Sequence, residues 1–180
     1  GHGGGRVSDD NGSYEGDTAD SGASPAGLTH TEDGDAQMVD VTEKPDSRRR
    51  AVARGEIRLR EPTVAAVRAD EIEKGDVLTT ARIAAVRAVK HTLETIPLCH
   101  QIPIGDVDTE FDLRDDRIVM RVAVATTGQT GCEMEAIQGV TTGLATVLDM
   151  VKAAEKNDNG QYPGLEIGGV EIVEKEKRPV

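Results

Sequence analysis

The sequence predicts an α+β fold, an antiparallel sheet with helices on one face in the order β-α-β-β-α-β. The first observation is a long helical period. From Cys132 to about Lys156, the residues Met134, Ile137, Val140, Leu144, Val147, Leu148 and Val151 recur at three- and four-residue steps. That spacing places them on one face of an amphipathic helix. The second is a pair of alternating runs, Ile104–Leu113 and Arg117–Ala125, whose period of two is that of strands half-buried against a core. The third is order: a strand and helices precede this pair, and a helix and a strand follow it.

Taken along the chain, Ala53–Arg60 alternates and reads as the first strand, and Pro62 suits the first turn of a helix running to about Glu73. Residues 78–92 form a second helical stretch with Ile83, Val86 and Val89 at three-residue spacing, ended before Pro97. Asp115 and Asp116 suit the turn of a hairpin between the two alternating runs. Thr130 and Glu133 have capping-box spacing, with Thr130 as N-cap and Glu133 reaching back to it. Residues 157–164 stop the long helix, and Leu165–Val173 returns as the last strand. This split β-α-β-β-α-β pattern is that of a ferredoxin-like sandwich. Residues 1–27 are rich in Gly, Ser and Asp, with almost no large apolar residue, and are expected to be disordered. Residues 28–180 are expected to form a single catalytic domain.

Composition narrows the function. One Phe, two Tyr and no Trp leave an aliphatic core and exclude modules that stack bases on aromatic platforms. A net charge of −12 argues against a general nucleic-acid binder, because phosphate backbones need clustered cations. The acidity suits either a high-salt cytoplasm or ordinary solubility. No run of about 18 apolar residues marks a membrane span, and the N-terminal region lacks a secretory pattern, so a cytoplasmic protein without membrane partners is expected. Cys99 and Cys132 lack disulfide or metal-ligand spacing.

Three segments carry more polar chemistry than an element needs. Lys74–Arg82 enters a helix, where unpaired N–H groups and a mobile ammonium could hold an anion, or where Lys74 is only solvated and Asp76 only a cap. Ile96–Gln101 contains Cys99 and His100; neighbours on extended chain point oppositely, so no metal site is expected. A His100 bonded to substrate and a His100 satisfied in the core both remain open, and Cys99 fits a buried apolar role. Thr126–Glu135 offers glycines and hydroxyls before a helix start, without the ending of a P-loop. Asp149 and Lys152, three apart on one helix face, can pair or act on one ligand. Glu135 and Asp149 are fourteen residues apart, about 21 Å at ~1.5 Å per residue, so one small ligand reaches both only if a second copy brings one end.

Together, Met38–Val41, Lys74–Val77 with Thr80–Ala84, Ile96–His100, Gly128–Gly131 with Glu133–Ala136, and Asp149–Lys152 resemble the successive signature blocks of the cyclic pyranopterin monophosphate synthase (MoaC) family. The resemblance implies a ferredoxin-like subunit in a homo-oligomer, a trimer of dimers with sites at the dimer interface. It implies a lyase acting on a cyclised GTP-derived nucleotide, 3′,8-cyclo-7,8-dihydroguanosine triphosphate. The products would be cyclic pyranopterin monophosphate and diphosphate, in molybdenum cofactor synthesis, with no cofactor of its own. By the same resemblance Asp149 is the catalytic acid/base and Lys74 and Lys152 are essential cations. Leu98, Cys99, His100, Met134 and Glu135 bind substrate. Two departures stand out: Gln129 replaces a Lys or Arg of many members, and the C-terminal residues 174–180 lack the Lys- and Gly-rich tail of many others. From another class, a small-molecule-binding regulatory module would share this fold, but gives no reason for Lys74, His100, Asp149 and Lys152 together.

Overall fold

The computed structural model describes residues 36–180, which leaves the expectation for residues 1–27 outside the described residues. Residues 37–180 form one compact unit. Its elements are β1 (Ser47–Arg58), α1 (Glu61–Arg68), α2 (Val77–Lys90), the short α3 (Thr92–Thr95), β2 (Ile104–Leu113), β3 (Arg117–Gly128), α4 (Glu133–Glu155) and β4 (Glu166–Pro179). The sheet runs β2-β3-β1-β4, and every neighbouring pair is antiparallel. The expected α+β, ferredoxin-like arrangement is present.

The core follows from alternation. Ala51, Ala53 and Ile57 of β1 lie beside Val124, Val122 and Ile118 of β3, all buried. Val140, Leu144 and Val147 of α4 are fully buried with them. Gly55 lets α4 approach the sheet: a Cβ there would meet Val140 at 2.7 Å and Leu144 at 3.0 Å. Residues alternating with the core set give the other sheet face its ion pairs, Arg54–Glu56 at 3.2 Å and Arg117–Glu56 at 3.0 Å.

Several boundaries and one face differ from the sequence reading. The first helix ends at Arg68, short of Glu73, because Asp70 adopts a left-handed φ of 57° that no helix continues through. The second buries Val77, Ala81, Ala85 and Val89, a four-residue stripe, while Ile83 is exposed and Val86 half-buried. Alanines carry the contact because α2 packs closely on α4. The first strand begins at Ser47 rather than Ala53, and the last extends to Pro179 rather than Val173. The capping box is not formed. The N-cap of α4 is Cys132, without a side-chain cap, and Glu133 pairs with Lys175 of β4 at 2.7 Å. A charge-assisted bond to an ammonium replaces the backbone bond the box would have made.

Candidate active site

The loop between α1 and α2 delivers the first candidate side chain. Gly75, at φ 107°, turns the chain so that Asp76 caps α2, accepting from the Thr79 amide at 3.0 Å and the Thr79 hydroxyl at 2.7 Å. A β-carbon is strained at that φ. The turn leaves Lys74 facing α4, where its Nζ donates to the Asp149 carbonyl at 2.9 Å and lies 3.3 Å from the Asp149 carboxylate. Lys152, one turn along α4, lies 3.1 Å from the other carboxylate oxygen. The Asp149 carboxylate therefore sits between two ammonium groups. The hydrogen bond from Lys152, then that from Lys74, holds its carboxyl below the usual range. Beside this cluster opens a cavity of about 700 Å³ lined by Lys74, Glu71, Glu73, Ile72, Met150 and Val151 among others.

A second cluster forms at the other end of α4. Glu135, in its first turn, is only 4% exposed. Desolvation pushes its carboxyl above the usual range. It shares a cavity of about 50 Å³ with His100, Gln101, Lys90 and Thr92. Cys99 lies close enough that burial, and then the charge of Glu135, raises its thiol, so it is a protonated thiol rather than a thiolate nucleophile. Cys132, pushed up to about 11 by burial, donates to the Val124 carbonyl at 3.3 Å. Leu98 and Met134 expose large apolar side chains. His100 also borders a cavity of about 190 Å³ with Val41, Thr127, Gln129 and Thr130.

The structure thus brings Lys74, Asp149 and Lys152 together, and separately His100, Cys99 and Glu135. It does not join the two groups within one chain, since α4 is continuous over Glu133–Glu155. Thr126, part of the hydroxyl-rich segment, is buried and donates to the Pro103 carbonyl, a structural role. Among the described residues no three His, Cys, Asp or Glu side chains gather as a metal site, and no helix is long and apolar enough to cross a membrane.

Residues 38–178 match the MoaC family. This chain belongs to the MoaC family. Relatives named "Probable cyclic pyranopterin monophosphate synthase" include one from Natronomonas pharaonis, 65% identical over 84% of this chain and 95% of that protein. Another, from Halobacterium salinarum, is 67% identical over 83% of this chain and 93% of that protein. A relative from Methanothermobacter thermautotrophicus carries the name "Probable cyclic pyranopterin monophosphate synthase accessory protein". It is 54% identical over 83% of this chain and 94% of that protein.

In this MoaC chain the structure also gives work to residues the sequence reading left without a role. Gln129, read there as a lost cation, donates its side-chain amide to the Thr42 carbonyl at 3.2 Å. Arg49 in turn donates to the Gln129 carbonyl at 3.1 Å. Both contacts span some eighty residues or more, and no local spacing signals them.

Proposed function

We propose that this MoaC chain is a cytoplasmic cyclic pyranopterin monophosphate synthase of molybdenum cofactor biosynthesis. Its single catalytic domain converts the cyclised GTP-derived nucleotide to cyclic pyranopterin monophosphate and diphosphate. The observation that carries the reading is the Asp149 carboxylate held 3.3 Å from Lys74 and 3.1 Å from Lys152. Opening and reclosing a purine ring moves protons on and off nitrogen and oxygen, the work of positioned acids and bases. Asp149, held ionised between the two ammonium groups, can accept a proton, and the ammonium groups beside it can give one. Loss of diphosphate develops negative charge, which Lys74 and Lys152 offset. The cavity beside Lys74, walled by aliphatic side chains with Glu71 and Glu73 among them, is placed to receive the ring portion of the substrate.

Leu98, Cys99, His100, Met134 and Glu135 are assigned to substrate binding. Glu135 lies about 21 Å along α4 from Asp149 by the ~1.5 Å rise per residue, and His100 and Cys99 cluster with Glu135. The complete site therefore combines the Asp149 end of one copy with the Glu135 end of another, in a trimer of dimers. Incubating purified protein with the cyclised nucleotide and following diphosphate by mass spectrometry tests the reaction. Lys152→Ala should abolish product while preserving assembly, and undiminished turnover would remove the assignment. Mixing Glu135→Ala with Lys152→Ala should restore part of the activity if sites are shared; well-mixed oligomers that remain dead would refute sharing.

A further inference from the structure

His100 Nε2 stands 2.6 Å from the carbonyl oxygen of Val39. A carbonyl oxygen only accepts, and a ring nitrogen this close must carry the proton it donates. The proton is on Nε2 in both the neutral ring and the imidazolium. In the neutral ring Nδ1 is then the bare, accepting nitrogen. We propose that His100 meets the substrate through Nδ1, as acceptor or base, and that the segment Met38–Thr42, clasped by Gln129, is the positioning element fixing this tautomer. The proposal rests on the assignment of His100 to the substrate site made above.

The segment has no regular secondary structure to hold it, so side-chain contacts fix its place. Asp40 accepts from the Thr42 amide at 2.9 Å and from the Thr42 hydroxyl, closing a local turn. The Lys44 amide bonds the Val41 carbonyl at 3.0 Å. Gln129 then fastens the Thr42 carbonyl to the turn between β3 and α4, and Arg49 of β1 anchors Gln129 from behind. The Val39 carbonyl is held at the ring by a chain of bonds that reaches the central strand. A base oriented by a fixed acceptor on its far nitrogen is a recurring arrangement in active sites. Here a backbone carbonyl takes the orienting place.

His100 also lines two cavities, of about 50 and 190 Å³, which share Gln101 and Ile102 in their walls. One contains Glu135 and Lys90 and the other Val41 and Gln129. With Nε2 committed to Val39, Nδ1 is the nitrogen left for a ligand entering either one.

The full-length protein labelled with ¹⁵N-histidine provides the test, with His100→Gln assigning the resonances. In ligand-free protein at alkaline pH, where imidazole is neutral, His100 should show a protonated Nε2 and a bare Nδ1. The opposite tautomer, or an even mixture, overturns the proposal. Gln129→Ala should let the second tautomer appear; an unchanged spectrum removes Gln129 from the device. Kinetics give an independent reading. Asn at position 100 keeps an acceptor, Oδ1, at the δ position, whereas Gln carries its whole amide, acceptor and donor, at the ε position. Where Nδ1 accepts a hydrogen bond, His100→Asn should retain about tenfold more kcat than His100→Gln, about the worth of one such bond, and equal or reversed values sink that acceptor role. Absence of diphosphate release from wild-type protein would instead dismiss the assigned reaction, and the labelled spectrum would still decide the tautomer.

Discussion

Lys74 Nζ is held twice by Asp149, through the backbone carbonyl at 2.9 Å and the carboxylate at 3.3 Å. Removing the carboxylate leaves one of these contacts in place, so the two partners can be dissected. Asp149→Asn should keep Lys74 near its position yet lower product formation by about 10²–10⁴-fold, the range of a lost acid/base group. Lys74→Ala should lose activity as severely. Both side chains are about half exposed, so melting temperatures should stay near wild type. A rate assay beside a thermal melt checks the pair, and collapse of the fold with the activity would contradict it.

The pH dependence of Asp149 follows from its neighbours. Its folded pKa is depressed, so its ion pairs are present above the ordinary carboxylate value of about 3.9 and are lost as pH falls through the lower folded value. The acid limb from Asp149 therefore lies below the ordinary range. The Lys152 hydrogen bond is the largest single cause, followed by the hydrogen bond and the charge of Lys74. Lys152→Ala and Lys74→Ala should each raise the carboxyl, as read by carbon-detected NMR titration; no rise in either would contradict the geometry.

Glu135 has the opposite sign. Burial raises its folded pKa, so the charged form is disfavoured and stability is lost as pH rises through that value. Glu135→Gln removes the buried charge. It should raise the melting temperature at neutral pH, with the gain shrinking toward about pH 4, where the unfolded carboxyl is itself protonated. The same change should reduce activity. A variant no more stable than wild type at neutral pH would show that the carboxylate is better satisfied than its burial implies.

How much of this was legible in the sequence depends on where the information lies. The face of α4 could be read because large aliphatics repeat along it, and the hairpin because its alternation is local. The face of α2 could not, since Ala81 and Ala85 make the contact while the bulkier Ile83 points out. The start of β1 was hidden by Arg48, Arg49 and Arg50, a charged run that hydropathy does not read as a strand. The end of β4 was hidden by Glu174–Arg178 for the same reason. In the site, Asp149 and Lys152 are neighbours by helix spacing. The arrival of Lys74, and the reach of Gln129 to Thr42, are tertiary events with no local period.

The glycines of α4 set a packing test. A Cβ at Gly139 would meet Val122 at 2.8 Å and Val89 at 3.0 Å, both buried and β-branched. At Gly143 it would meet the end of the Met120 side chain, with Cε at 2.7 Å. Valine is stiff at χ1, while a thioether bends aside. Overpacking costs about 1–3 kcal/mol, against about 1 kcal/mol gained by replacing Gly with Ala in a helix. Gly139→Ala should therefore destabilise the protein in urea, and Gly143→Ala should lie closer to neutral. Equal losses would mean the core yields at both positions alike.

The pairing of β1 with β4 governs how the molecule comes into being. Ser47 lies opposite Pro179, and Arg58 opposite Glu166, so the first strand made waits for the last before its second edge is covered. Until then a nascent chain leaving the ribosome carries Ala51, Val52 and Ala53 on an open edge, a place where another chain can pair. Long-range pairings of this kind slow folding. Arg48, Arg49 and Arg50 put like charge at the outer end of β1 and keep like strands apart during the delay.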